Sequence, residues 1–188
     1  MSDAKTLYDE DFLAWSIQQA EALRGAARTG SNQHLDWENL AEEIESLGIS
    51  QRSELKSQLR RVIEHLLRLE YSPAREPRRG WVESISDARV EIEAVIEDSP
   101  SLRGEIDAAI GAELKRGSRK AIAELEKYGE VDAATAARMR TRAYTPEQIL
   151  EDWFPPEPEH PKSGEGGHNK IGGDRRQGAT YIIGLAPG

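Results

Sequence analysis

The chain has 188 residues, no cysteine and a net charge of −9, with 37% hydrophobic and 31% charged side chains. This length suits one domain with its own buried core, and the lack of cysteine rules out a disulfide scaffold, a thiolate metal site and a cysteine nucleophile. No apolar run approaches the roughly 20 residues needed to cross a bilayer, and Met1-Ser2-Asp3-Ala4-Lys5 lacks the basic and apolar regions of a secretory signal, so the expected location is the cytoplasm with no membrane contact.

In chain order, Asp9 is the expected cap of a first helix, with Glu10 and Asp11 in its opening turn and Phe12, Trp15, Gln19, Ala22 and Leu23 at helical spacing. Gly30-Ser31-Asn32 follows as a loop. Asp36 caps a second helix whose apolar side is Trp37, Leu40, Ala41, Ile44 and Leu47, and Gly48 is its expected stop. Ser50 then opens a third helix with the stripe Leu55, Leu59, Val62, Ile63, Leu66 and Leu69. Pro73 and Pro77 make Tyr71 to Gly80 a loop.

Trp81, Ile85, Ala88, Ile92, Val95 and Ile96 mark a fourth helix. Ser99-Pro100 reads as a cap and first-turn proline for a fifth, carrying Leu102, Ile106, Ala109, Ile110, Leu114, Ala121, Leu125 and Tyr128. Gly111 and Gly117 are positions where it could bend, and Gly129 closes it. Asp132 caps a sixth helix to about Arg142, and Thr145-Pro146-Glu147-Gln148 is a capping box that opens one more short turn. The fold class predicted is all-α: a single antiparallel bundle of about five to seven helices over residues 7–154. Residues 155–188, rich in proline and glycine, are expected to be a flexible tail. Its end, Thr180 to Leu185, is apolar enough to add a strand to a partner or dock on the domain, with a dangling end as the default.

The run Leu7-Tyr8-Asp9-Glu10-Asp11-Phe12-Leu13-Ala14-Trp15, the stretch Asp36 to Gly48, the segment Ser50 to Leu59 and His65-Leu66-Leu67-Arg68 together resemble a bacterial family named only as domain of unknown function 29. Trp81, Ser99-Pro100-Ser101-Leu102, Tyr144 to Leu150 and Trp153-Phe154-Pro155 continue the match, which spans roughly residues 7–155. The resemblance implies a bacterial helical bundle and no particular activity.

Two sets of residues could carry chemistry. Glu43 lies at the edge of one apolar stripe and His65 at the edge of the next, so on two packed helices they could meet as a metal site or an acid–base pair. A di-iron bundle needs a repeated Glu-x-x-His pattern, whereas Glu64 precedes His65 directly and the other histidines, His34, His160 and His168, fall in loop or tail. A half-buried histidine bonded to a carboxylate is the more economical expectation, with no cofactor and no metal.

The second set is cationic. Residues 51–79 hold eight basic and four acidic side chains, between acidic blocks at 1–50 (three and ten) and 80–154 (ten and sixteen). Such blocks usually pair within a fold, although Arg75, Arg78 and Arg79 before Trp81 join guanidinium forks to an aromatic anchor. Without a helix-turn-helix or zinc-finger signature, and with a net negative charge, nucleic acid is disfavoured. Trp15, Trp37, Trp81 and Trp153 are expected in the core. No Ser–His–Asp set and no phosphate loop can be assembled. The functional expectation is a non-enzymatic module that binds another protein, with Arg75, Arg78, Arg79 and Trp81 as its probe residues and the oligomeric state left open. Its alternatives are an enzyme built on Glu43 and His65, and an anion or nucleic-acid binder using residues 51–79.

Overall fold

The computed structural model describes residues 4–30 and 34–157, and the expectations for residues 158–188 lie outside them. Among the described residues there are seven α-helices, one 3₁₀ turn and no strand: α1 (Ala4–Glu10), α2 (Phe12–Arg28), α3 (Trp37–Tyr71), α4 (Arg78–Asp98), the 3₁₀ turn (Pro100–Glu105), α5 (Ile106–Lys127), α6 (Ala133–Thr141) and α7 (Pro146–Leu150). The predicted all-α bundle is the observed architecture. No helix among the described residues is long and apolar enough to cross a membrane.

Helix α3 is the strut of the molecule. Its 35 residues span about 52 Å at 1.5 Å per residue. The sequence predicts two helices here, separated at Gly48, and the structure corrects this. Gly48 is helical and buried. A glycine inside a helix costs about 1 kcal/mol against alanine, and here the missing side chain lets α2 come close: a Cβ on Gly48 would lie 2.2 Å from Ser16 Oγ and 2.8 Å from Leu13 Cδ1. Ser50 is no cap either. Its hydroxyl donates back to the Ser46 carbonyl at 2.9 Å, the way a serine is accommodated within a helix.

The start of the chain differs by one motif. Asp11, not Asp9, caps the long first helix, accepting from Ala14 N at 2.9 Å, and α1 ends just before it. The loop expected from Tyr71 to Gly80 is shorter. Arg78, Arg79 and Gly80 form the first turn of α4, with Trp81 N donating to the Pro77 carbonyl at 3.1 Å. Gly111 and Gly117 leave α5 unbroken. Gly129 closes it at a φ of +68°, the left-handed region that favours glycine. Asp132 and Thr145 cap α6 and α7 as expected, the latter in a complete capping box.

Two helices pack along the second half of α3. Helix α4 returns antiparallel after a tight turn. Helix α5 runs parallel to α3, as shown by ion pairs in ascending register: Arg52 with Glu105, Arg60 with Glu113 and Arg68 with Glu124. Between them lies the core, with Leu55, Leu59, Val62, Ile63, Leu66, Leu67 and Leu69 from α3 meeting Ile85, Ala88 and Ile92 of α4 and Ile110, Ala121, Ile122 and Leu125 of α5. Gly117 admits Ile63, whose Cγ2 would lie 3.0 Å from a Cβ there.

The first half of α3 is different. It packs on α2, and its buried positions before Leu55 are Ala41 and Gly48. On α2 the buried residues are Leu13, Ser16 and Ala20. This two-helix arm is thus joined mainly through small residues, and the large apolar residues expected in its core sit elsewhere. Phe12, Trp15, Leu23, Trp37 and Ile44 are half-buried, Ala22 is exposed, and Leu40 and Leu47 are 41% and 47% exposed. Of the four tryptophans, Trp81 and Trp153 pack against the main core. Trp15 instead joins an aromatic cluster with Tyr8 and Phe12, its ring 4.8 and 5.6 Å from theirs.

Candidate functional site

Glu43 and His65 do not meet. Both lie on the single helix α3, 22 positions apart, which places them about 33 Å from each other. Glu43 is exposed on the arm, while His65 stands beside α5. The shared pocket required two helices where the chain makes one. Among the described residues, no group of three or more His, Asp or Glu side chains is placed to hold a metal ion.

His65 sits on a charged seam between α3 and α5. Arg68 Nη1 donates to its Nδ1 at 3.2 Å. A guanidinium has no acceptor, so Nδ1 carries the lone pair and Nε2 carries the proton. Burial, and then the cations of Arg68, Arg61 and Lys120, lower the imidazole pKa from 6.5 to about 4. His65 is therefore a neutral donor at physiological pH, and the expected carboxylate partner is replaced by arginine. Around it Glu64, almost fully buried, is held by Lys120 at 2.9 Å, with Arg68 and Arg60 at 3.8 and 3.9 Å. Arg68 Nη2 reaches Glu124 at 2.5 Å. Fully buried Glu113 binds Arg60 at 3.1 Å and Arg116 at 2.6 Å. Arg52, Arg60 and Arg68 of the basic block at 51–79 are thus paired within the fold, with α5 and the turn before it.

The four residues before and in α4 separate. Arg75 and Arg79 are exposed, and Arg79 pairs with Glu83 at 2.8 Å one turn on. Arg78 folds inward, donating to the Leu69 carbonyl at 3.0 Å with Glu157 at 3.7 Å. Trp81 is half-buried against the core. The structure therefore uses Arg78 and Trp81 to hold the α3–α4 turn, and they do not form one exposed patch with Arg79.

Sequence reasoning missed Arg89. It is buried on α4 and donates to three carbonyls near the end of the described chain: Ile149 at 2.9 Å, Gln148 at 3.0 Å and Trp153 at 2.8 Å. Its guanidinium carbon lies 5.0 Å from the Phe154 ring centroid. A signal was present, because position 89 is four residues after Ile85 and one after Ala88, inside the buried stripe. Glu70 is a second latch, accepting from Arg142 Nε and Tyr144 Oη, each at 2.8 Å. Burial first, and then the Glu70 carboxylate, push the Tyr144 phenol pKa well up. At the other end Asp11 accepts from Ser101 N at 2.7 Å and Leu13 N donates to Ser99 Oγ at 3.2 Å. Several of the sequence motifs are therefore halves of long-range latches.

The arm carries the open apolar surface. Arg24 of α2 binds Glu45 and Glu38 of α3 at 2.6 and 3.4 Å, defining one flank of the pair. At about 100° per residue, Leu23 on α2 and Leu40, Ile44 and Leu47 on α3 fall toward the opposite flank. On α3 the spacing Trp37, Leu40, Ile44, Leu47 alternates three and four, the pattern of a helix-packing seam. Residues 6–50 carry nine carboxylates and two arginines, among which Asp36 and Glu43 are exposed on α3's side of this flank.

No curated protein matches the sequence. A crystal structure of an alpha-helical protein of unknown function from Rhodospirillum rubrum is similar, with a TM-score of 0.64 and 25% identity, covering 78% of this chain and 90% of that one. The family model described as "Domain of unknown function DUF29" matches residues 7–154. That span reaches from the start of the arm to the segment held by Arg89, and the chain belongs to the DUF29 family.

Proposed function

We propose that this protein is a non-enzymatic helical module that binds another protein, and that the partner lays a cationic amphipathic helix along the open flank of α2 and α3. The observation that carries this reading is the three–four seam Trp37, Leu40, Ile44 and Leu47, left half-buried or exposed because the arm is closed by Ser16, Ala20, Ala41 and Gly48. An unpartnered apolar strip of this kind costs solvation free energy of about 25 cal/mol per Å² until something covers it. The carboxylates of the arm select the sign of the partner. A second copy would bring a like-charged arm against this one, whereas a lysine- or arginine-edged helix meets complementary charge.

The test uses full-length protein and a labelled amphipathic peptide with leucine heptads and lysine flanks, read by fluorescence anisotropy. We expect saturable binding that weakens with salt, and binding at least about tenfold weaker in the Leu40→Ser/Leu47→Ser variant. Both leucines are largely exposed, so the variant's circular dichroism should match the parent. Equal binding by the variant, or equal binding of a glutamate-flanked peptide, would sink the proposal. A concentration-dependent dimer in sedimentation, lost in the variant, would give the flank to a second copy instead.

The earlier probe residues are weaker on this reading. Arg78 and Trp81 have structural duties, and Arg79 remains as an exposed cation whose removal should leave peptide binding unchanged. The enzyme alternative loses its pair of residues, because Glu43 and His65 are too far apart to act together. The nucleic-acid alternative loses Arg52, Arg60 and Arg68 to carboxylates of α5 and the turn before it.

A further inference from the structure

The seam beside His65 holds more positive charge than its carboxylates consume. Arg60, Arg61, Arg68, Arg116 and Lys120 face Glu64, Glu113 and Glu124. Arg61 is exposed on the wall of an open pocket of about 320 Å³, which is also lined by Ser57, Gln58, His65 and Lys120. Among these donors the Arg61 guanidinium and two further groups have no acceptor in the structure. The Nε2–H of His65 is one, fixed as a donor by the Arg68 bond to Nδ1. The other is Arg68 Nε, which is buried and unpaired although Arg68 itself is only 6% exposed.

We propose that this pocket between α3 and α5 binds a small tetrahedral oxyanion, inorganic phosphate or a phosphomonoester, held by the Arg61 guanidinium, the Lys120 ammonium and the Nε2–H of His65. An anion here supplies an acceptor to Arg61 and to the Nε2–H of His65 and offsets the local cationic surplus. Burial first, and then the cations of Arg68, Arg61 and Lys120, depress the basicity of His65, and that cationic share is in line with a site for an anion. Lys120 keeps its bond to Glu64 and adds a second acceptor, as an ammonium with three donors can. Arginine, lysine and a neutral imidazole present separate donors to separate oxygens, which suits a tetrahedral anion better than a planar carboxylate. The site lies on the bundle half of α3, far from Leu40 and Leu47, and stands or falls separately from the protein-binding flank.

The experiment is an NMR titration of full-length protein, following the ring nitrogens and carbon-bound protons of His65. Inorganic phosphate, glycerol 3-phosphate and acetate are added in turn, at matched ionic strength in chloride. We expect the free spectrum to show the Nε2–H tautomer, and phosphate to give a saturable shift of that nitrogen. Arg61→Gln, which removes a side chain with no partner in the fold, should weaken phosphate by about tenfold, the loss of one charge-assisted hydrogen bond. Tighter binding of glycerol 3-phosphate than of phosphate would name the ester as the ligand class, and the reverse would name the free ion. The proposal is overturned if phosphate shifts His65 no more than chloride or acetate does, or if Arg61→Gln leaves the titration unchanged with the fold intact.

Discussion

Arg89 does the work of a capping group for an entire segment. The carbonyls it binds, on Gln148, Ile149 and Trp153, lie within α7 and in the segment just after it. Arg89→Met keeps the bulk and removes the donors. It should cost about 3 kcal/mol, roughly 10 °C in Tm for a domain of this size, with amide exchange accelerated first in residues 146–154. Arg89→Lys should recover little of it, because a point ammonium cannot span three carbonyls as the planar fork does. A thermal midpoint for Arg89→Met within 2 °C of the parent would show the latch to be idle.

His65 gives a prediction in pH. Its folded pKa near 4 lies below the ordinary 6.5 of the unfolded chain. A proton is thus bound more weakly by the folded protein. The group's contribution to stability is fully present above pH 6.5, is lost as pH falls from 6.5 toward 4, and changes no further below that. The charged neighbours facing the ring are Arg61 and Arg68 on α3 and Lys120 on α5. Urea midpoints taken between pH 4 and 7 should fall less steeply in His65→Gln than in the parent. Parallel curves would contradict the assignment.

Among the elements, α2 and the first half of α3 invert the usual division of labour on amphipathic helices. Position 48 decides how near they come. Gly48→Ala gains helix propensity of about 1 kcal/mol but drives a methyl into Ser16 Oγ and Leu13 Cδ1. Ser16 cannot turn away freely, since it is buried and its hydroxyl bonds the Leu13 carbonyl at 2.8 Å. A net loss of about 1–2 kcal/mol is expected from overpacking. Ser16→Ala in the Gly48→Ala background should return part of it, a coupling that denaturant melts of the four proteins in the cycle measure directly. Additive effects would mean that the clash is absorbed elsewhere.

This pair of helices also shows where the sequence was readable. Spacing alone identified both helices, and Asp36, Asp132 and Thr145 as caps, because those signals are local. Gly48 misled because a stop signal and a close-approach glycine are the same residue, and the difference lies in a helix more than 25 residues earlier. Phe12, Leu40 and Leu47 were read as core for a similar reason. Periodicity reports that a helix has an apolar side, not whether a neighbour covers it.

For the molecule as a whole, charge order along the chain became charge order in space. The acidic–basic–acidic blocks foretold internal pairing, and Arg52, Arg60 and Arg68 find Glu105, Glu113 and Glu124 in sequence because α5 runs parallel to α3. The partners themselves were not legible, since they depend on that direction. The proposed oxyanion pocket was invisible for the same reason, as Lys120 approaches His65 only through the fold. Arg61 was in view in the basic block, though, and His65 was marked out for a role with a carboxylate that the structure gives to arginine.

The two registers of α3 separate what holds the fold together from what the arm presents to solvent. Ala41, Gly48, Leu55 and Leu59 are buried and answer to the fold, whereas Leu40 and Leu47 are exposed along the same helix, with Trp37 and Ile44 half-buried between the two sets. Substitutions at Leu40 and Leu47 alter what the surface presents while leaving the buried set, and so the melting behaviour, nearly untouched. The surface of the arm and the stability of the bundle are therefore set by separate positions on one helix.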